Sequence, residues 1–225
     1  MGWTLVRPGS STRGGWTLLE LIISAFVLTV VSLGLASSLK GSLGVYSETQ
    51  IDLILERRLD RALQRVQREV RNAGAATLDP VPVTFPGGPT GWVDNLRMQR
   101  VEGWNNTGPI LETDSIRFEL LLEDGETDDG TDEDGDGLVD EHRLMLTMGF
   151  GGANPRTFVL ASGVLERFPG ETLDGTDENG NGLEDEPGAC FAFDGTALTF
   201  YLAIGSASTG TVKARSRSVR IVLTN

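Results

Sequence analysis

The 225-residue sequence predicts an α+β protein: a long N-terminal helix, membrane-spanning in its first half, packed on a C-terminal antiparallel β-sheet domain. Three observations lead there. No proline interrupts the chain between Lys40 and Pro80, and Leu55, Leu59, Ala62, Val66, Val70 and Ala73 recur at three- and four-residue steps, one face of a helix. From Gly74 onward, short alternating stretches such as SIRFELLLE and SVRIVL are separated by segments rich in Gly, Asp, Pro and Asn, which read as strands and turns. A hydrophobic content of 39% over this length suffices for one domain with its own core.

Residues 1–15 are polar and glycine-rich, with Arg7 and Arg13 as their only charged side chains. They give way to WTLLELIISAFVLTVVSLGLASSL, in which the 19 residues from Leu21 to Leu39 carry no charge. At ~1.5 Å per residue, a helix of that length matches the ~30 Å hydrocarbon core of a bilayer. No small-residue cleavage site closes the apolar run, so it reads as an anchor and not as an ordinary signal peptide. Glu20 stands at its very start, where burial in lipid is costly for an unpaired carboxylate.

The stretch RGGWTLLEL, Arg13 to Leu21, resembles the type IV prepilin motif, a glycine followed by F-T-L-x-E. That resemblance implies a prepilin peptidase that cuts between Gly15 and Trp16 and methylates the new amine, with residues 1–15 as a leader on the cytoplasmic side, as the positive-inside rule expects. It makes Glu20 the assembly residue, neutralised by the terminal ammonium of a neighbouring subunit in a helical filament. It implies an inner-membrane precursor, residues 16–43 as transmembrane and filament-core helix, residues 44–225 as the globular domain, and an assembly platform, other pilins and the membrane as partners. The finished filament would be a periplasmic pseudopilus or an extracellular pilus. The Arg65–Gly74 segment, RVQREVRNAG, looks most like PilW-type minor pilins and J-type pseudopilins of type II secretion, and Glu20 disfavours the K-type tip subunit. A different class of function is a membrane-tethered calcium-binding adhesin or receptor domain that keeps residues 1–15 and never enters a filament.

The helix is expected over Thr17 to Ala73, with Asn72, Ala73 and Gly74 as its stop. Arg57, Arg58, Arg61, Arg65, Arg68 and Arg71 occupy its other faces, interleaved with Glu56, Asp60 and Glu69, and read as a solvated surface. Strands are expected near 95–101, 115–122, 142–148, 157–164, 197–204 and 216–223.

Formal charge is −13, which argues against nucleic-acid binding because phosphate contacts need a basic surface. The acidity is local: Glu123–Glu141 holds 11 Asp and Glu, Glu171–Glu186 holds 7, and neither stretch has a Lys or Arg. Outside them the chain is +5. The two stretches contain an internal repeat, DGTDEDGDGLVDE at 129–141 and DGTDENGNGLEDE at 174–186, identical at 10 of 13 positions. Alternate side-chain oxygens on a tight glycine turn wrap a cation of calcium size, which takes six to eight oxygen ligands. Candidate ligands in the first loop are Asp132, Asp134, Asp136, the Leu138 carbonyl, and Asp140 or Glu141. In the second they are Asp177, Asn179, Asn181, the Leu183 carbonyl, and Asp185 or Glu186. The pattern resembles EF-hand, dockerin and thrombospondin type 3 loops, but the twelfth position is Arg143 or Gly188, so Asp140/Glu141 and Asp185/Glu186 are expected to close the site. Two calcium ions are expected, the first loop binding more tightly because it offers more charged ligands. His142 is the only histidine and has no helper signature for catalysis, so the sequence reads as a non-enzyme. The lone Cys190 reads as a small buried hydrophobe.

Overall fold

The structure, a computed structural model, describes residues 16–74, 77–79, 91–208 and 211–223. The expected leader, residues 1–15 with Arg7, Arg13 and Gly15, lies outside these. By internal contacts the chain divides into a unit ending at Glu48 and a unit Thr49–Asn225.

Helix α1 (Leu18–Arg71) opens on a reciprocal cap. Thr17 Oγ1 accepts the Glu20 amide at 3.2 Å, while the Glu20 carboxylate accepts the Thr17 amide at 3.3 Å, so T-L-L-E is a capping box. The helix stops two residues before the expected Ala73 because the sheet competes for the backbone. Ala73 bridges to Arg100, and the Gly74 amide donates to the Gln99 carbonyl at 3.2 Å. Arg68 and Arg71 in the last turn complement the negative end of the helix dipole.

In the first unit every side chain from Trp16 to Tyr46 is exposed. Among the described residues, α1 is the one helix long and apolar enough to cross a membrane. In the second unit the apolar stripe of α1 behaves oppositely. Leu55, Leu59, Ala62, Val66 and Val70 are buried in one cluster with Leu96, Met98, Phe118, Leu146, Phe200 and Ile204 from the sheet. Each of the larger of these, Val, Leu, Ile, Met and Phe, contributes roughly 1.5–3 kcal/mol of hydrophobic stabilisation, which fixes the face that α1 turns to the sheet.

The sheet comprises β1 (Trp92–Val93), β2 (Leu96–Asn105), β3 (Gly108–Leu122), β4 (His142–Phe150), β5 (Arg156–Val164), β6 (Ala189–Phe193), β7 (Ala197–Ser208) and β8 (Thr211–Val222). Its order is β1-β6-β7-β5-β4-β3-β2, with β8 also on β7, and every pairing is antiparallel. This is the α+β arrangement the sequence predicts. All six expected strands form, several longer than their alternation suggests. The β2–β3 hairpin is extended to an Asx turn in which Asn105 Oδ1 accepts the Thr107 amide and hydroxyl at 2.9 and 2.7 Å.

Strands β1 and β6 are additions. In β6, Ala189, Cys190 and Phe191 are all buried, so it lacks the alternation that marks a half-exposed strand. Phe191 stacks on Phe200 with ring centroids 4.6 Å apart.

Charge ties β8 to α1. Lys213, Arg215 and Arg217 lie at every second position of the strand, and Asp52, Glu56 and Asp60 lie at every fourth of the helix. Two strand residues rise ~6.8 Å and four helical residues ~6.0 Å, so the two rows stay in step. Asp52 meets Lys213 and Arg215 at 3.5 and 3.1 Å, Glu56 meets Arg217 at 2.7 Å, and Arg217 also pairs with Asp60.

Candidate functional site

The two acidic repeats occupy the β3–β4 and β5–β6 connections and fold alike. Each is closed at its base by one main-chain bond of 3.0 Å, Glu123 N–H to the Glu141 carbonyl and Phe168 N–H to the Glu186 carbonyl. Gly130, Gly135 and Gly137 have φ of 82°, 76° and 91°, and Gly175, Gly180 and Gly182 have 82°, 73° and 90°. Asp140 and Asp185 are the non-glycine residues with positive φ among those described, at 49° and 50°. The first loop is pinned to the sheet through Gly137 and Leu138. A Cβ on Gly137 would come within 2.5 Å of Ala207 Cβ, and the Leu138 side chain is buried beside Gly163 and Gly205.

In the first loop the side chains divide into those that build the turn and those that converge. Asp132 accepts the Gly135 and Gly137 amides at 2.7 and 2.9 Å. Asp134 Oδ1 accepts the Asp136 amide at 2.9 Å, and Asp136 Oδ1 accepts the Leu138 amide at 2.8 Å. Asp140 turns back to the loop base, where its carboxylate holds the Asp129 and Gly130 amides at 3.1 and 2.9 Å. Glu141 points the other way: it is 1% exposed, and neither carboxylate oxygen has a hydrogen-bond partner. One oxygen each from Glu126, Asp134 and Glu141 lie within 4.8 Å of one another, and the same holds for Asp132, Asp134 and Asp136. Asp134 thus belongs to both groups, and these acidic clusters are able to hold a metal ion.

The electrostatics agree with the geometry. Burial, reinforced by Asp136, Glu126 and Asp134, pushes the Glu141 carboxyl up to about 7. A carboxylate in such a place is stable only with a proton or a cation. Glu126, 7% exposed, uses one oxygen to accept the Asp134 amide at 3.1 Å and leaves Oε2 without a partner. Arg143, at the twelfth position, stays outside the cluster and forms a fork with Asp124 at 2.5 and 2.6 Å.

The second loop repeats this frame with different chemistry at two positions. Asp177 accepts the Gly180 and Gly182 amides at 2.7 and 2.8 Å, and Asp185 holds the Asp174 and Gly175 amides at 2.9 and 3.0 Å. Glu171 takes the Asn179 amide at 3.0 Å and the Asp185 amide at 3.2 Å. Asn179 and Asn181 both donate through Nδ2 to Glu186 Oε1, at 2.7 and 2.5 Å. Leu183 is buried like Leu138.

At the helix start, Trp16 is exposed and the bonds of the Glu20 carboxylate run to Thr17 alone among the described residues. Compared with protein-family models, curated proteins and solved structures, the chain matches none. Its function therefore rests on the residues themselves.

Glu126 and Glu171 are the site residues that sequence reading misses. Both are legible in retrospect: the repeat begins four residues earlier than 129 and 174, with Gly-Glu-Thr at 125–127 and 170–172. Cys190 is fully buried, and burial, with Glu186 and Asp94 nearby, pushes its thiol up, away from the reactive thiolate.

Proposed function

We propose that this chain is a structural subunit of a type IV filament, a minor pilin or pseudopilin of a type IV pilus or type II secretion pseudopilus. In this reading it is made as an inner-membrane precursor, cut by a prepilin peptidase between Gly15 and Trp16, and drawn by an assembly platform into a helical stack of like subunits. The observation that carries the reading is a wholly exposed apolar helix segment that begins with a carboxylate bonded, among the described residues, only to its own cap. Such a surface needs lipid or other apolar helices around it, and Glu20, once among them, needs a cation from a neighbour. A methylated terminal amine of an adjacent Trp16 supplies that charge and sets the register of the stack.

Calcium in the first acidic loop supports the fold of the domain. Glu126, Asp132, Asp134, Asp136 and Glu141 offer the hard oxygen donors that calcium takes, and the orphaned Glu141 carboxylate is the group that needs it most.

The test is the mass and N-terminal sequence of the chain recovered from native membranes and from sheared filaments. A methylated Trp16 start in the filament fraction is expected; an intact Met1 form in cells with active prepilin peptidase returns the chain to the tethered calcium-binding domain. Glu20→Gln sharpens this, because glutamine keeps the capping box and removes only the charge. Membrane insertion should be unchanged and incorporation into filaments reduced; normal incorporation removes Glu20 from the mechanism.

A further inference from the structure

We propose that the two loops are unequal: the first needs a divalent cation to satisfy its carboxylates, and the second is closed without one by the amides of Asn179 and Asn181. This rests on the calcium reading of the first loop and adds that the second is its cation-independent counterpart.

The comparison is controlled by the molecule itself, since the loops share turn conformation, base closure and the Asp132/Asp177 and Asp140/Asp185 clamps. What differs is what faces the terminal glutamate. In the first loop both Glu141 oxygens are buried without a partner, beside Glu126 and Asp134. In the second, Glu186 Oε1 receives two amide N–H donors, leaving only Oε2 unpartnered. The matched positions carry five carboxylates in the first loop, Glu126, Asp132, Asp134, Asp136 and Glu141, against three in the second, Glu171, Asp177 and Glu186.

The orientation of the two asparagines is set by the main chain. Asn179 Oδ1 accepts the Asn181 amide at 3.0 Å, and Asn181 Oδ1 accepts the Leu183 amide at 2.8 Å. These are the bonds that Asp134 and Asp136 make with one oxygen each, so the remaining atom is an acceptor in the first loop and a donor in the second. To place oxygens where Nδ2 of Asn179 and Asn181 now meets Glu186, both amides must turn over and face N–H against N–H at Asn181 and Leu183. Losing two main-chain hydrogen bonds makes calcium binding there at least ~30-fold weaker than in the first loop.

The experiment is calorimetric titration of calcium chloride into the chelator-stripped full chain in detergent. One ion is expected for the native sequence and two for Asn179→Asp/Asn181→Asp, whose second loop regains the acceptors. The converse variant, Asp134→Asn/Asp136→Asn, should bind no ion in the first loop yet keep its fold in chelator, because the new amides reach Glu141. Two ions of similar affinity in the native chain, or a single ion in Asn179→Asp/Asn181→Asp, overturns the proposal and leaves the calcium reading standing. No ion at all in the native chain overturns the calcium reading itself.

Discussion

Asp194 shows how much one exposed carboxylate can organise. At the β6–β7 turn its Oδ1 accepts the Ala197 amide at 2.8 Å and the Thr196 amide and hydroxyl at 2.9 and 2.8 Å, and its Oδ2 meets Arg220 at 2.6 Å. These bonds, the main-chain one from Ala197 first, hold its carboxyl down to about 2 from an ordinary 3.8. A depressed carboxyl stabilises the fold above its unfolded value and loses that contribution as pH falls through the folded one. Because Asp194 is half exposed and solvent screens much of this, Asp194→Ala should cost no more than roughly 1 kcal/mol at pH 7, with native and variant stabilities converging between pH 4 and 2 in urea melts. A difference that persists unchanged at pH 2 would assign the turn to packing instead. The same scale marks where sequence reading stops. The pattern left Asp140 and Glu141 as alternatives, and what separates them is the left-handed backbone at Asp140, which sends its carboxylate to the loop base and Glu141 inward. Aspartate visits that region more easily than most residues, but nothing in a D-E pair announces that it must.

At the scale of elements, strands that keep one face in water were legible, because their alternation is written in the chain: in SIRFELLLE and SVRIVL, Ile116, Phe118 and Ile221 are buried. Strand β6 was not, since Ala189, Cys190 and Phe191 are all covered and present no period. The α1–β8 pairing is not legible either: acids at every fourth helical position and bases at every second strand position are both in the sequence, but only the fold brings the two rows together. Each exposed pair is worth ~0.2–1 kcal/mol, so their value lies in register more than in stability. Arg217→Glu places an acid against Glu56 and Asp60 and should cost about 1 kcal/mol, less at high salt. Adding Glu56→Arg should recover more than half of that loss in urea denaturation. A double variant no better than the sum of the singles would show that the rows do not act as pairs.

For the whole molecule, a proline-free helix followed by alternating segments was enough to read the α+β class, because both periods reflect burial on one side. What the sequence left open was how the acidic loops stay folded in a chain of charge −13. Their turns are held by side-chain acceptors on main-chain amides, but both oxygens of Glu141 and Oε2 of Glu126 are still buried acceptors without donors. A cation that binds only the folded state stabilises it by RT ln(1 + [L]/Kd), ~2.7 kcal/mol at a hundredfold excess over Kd. Spread over a domain of this size, that corresponds to about 5–10 °C in Tm. The full chain in detergent should melt that much higher in excess calcium than in chelator, and Glu141→Gln should abolish most of the difference while melting close to the chelator value of the native chain. The direction follows from the geometry: the amide supplies a donor to Glu126 and Asp134 and removes the charge the ion needs. An equal Tm with and without calcium would mean that a proton on Glu141 satisfies the loop as well as any ion does.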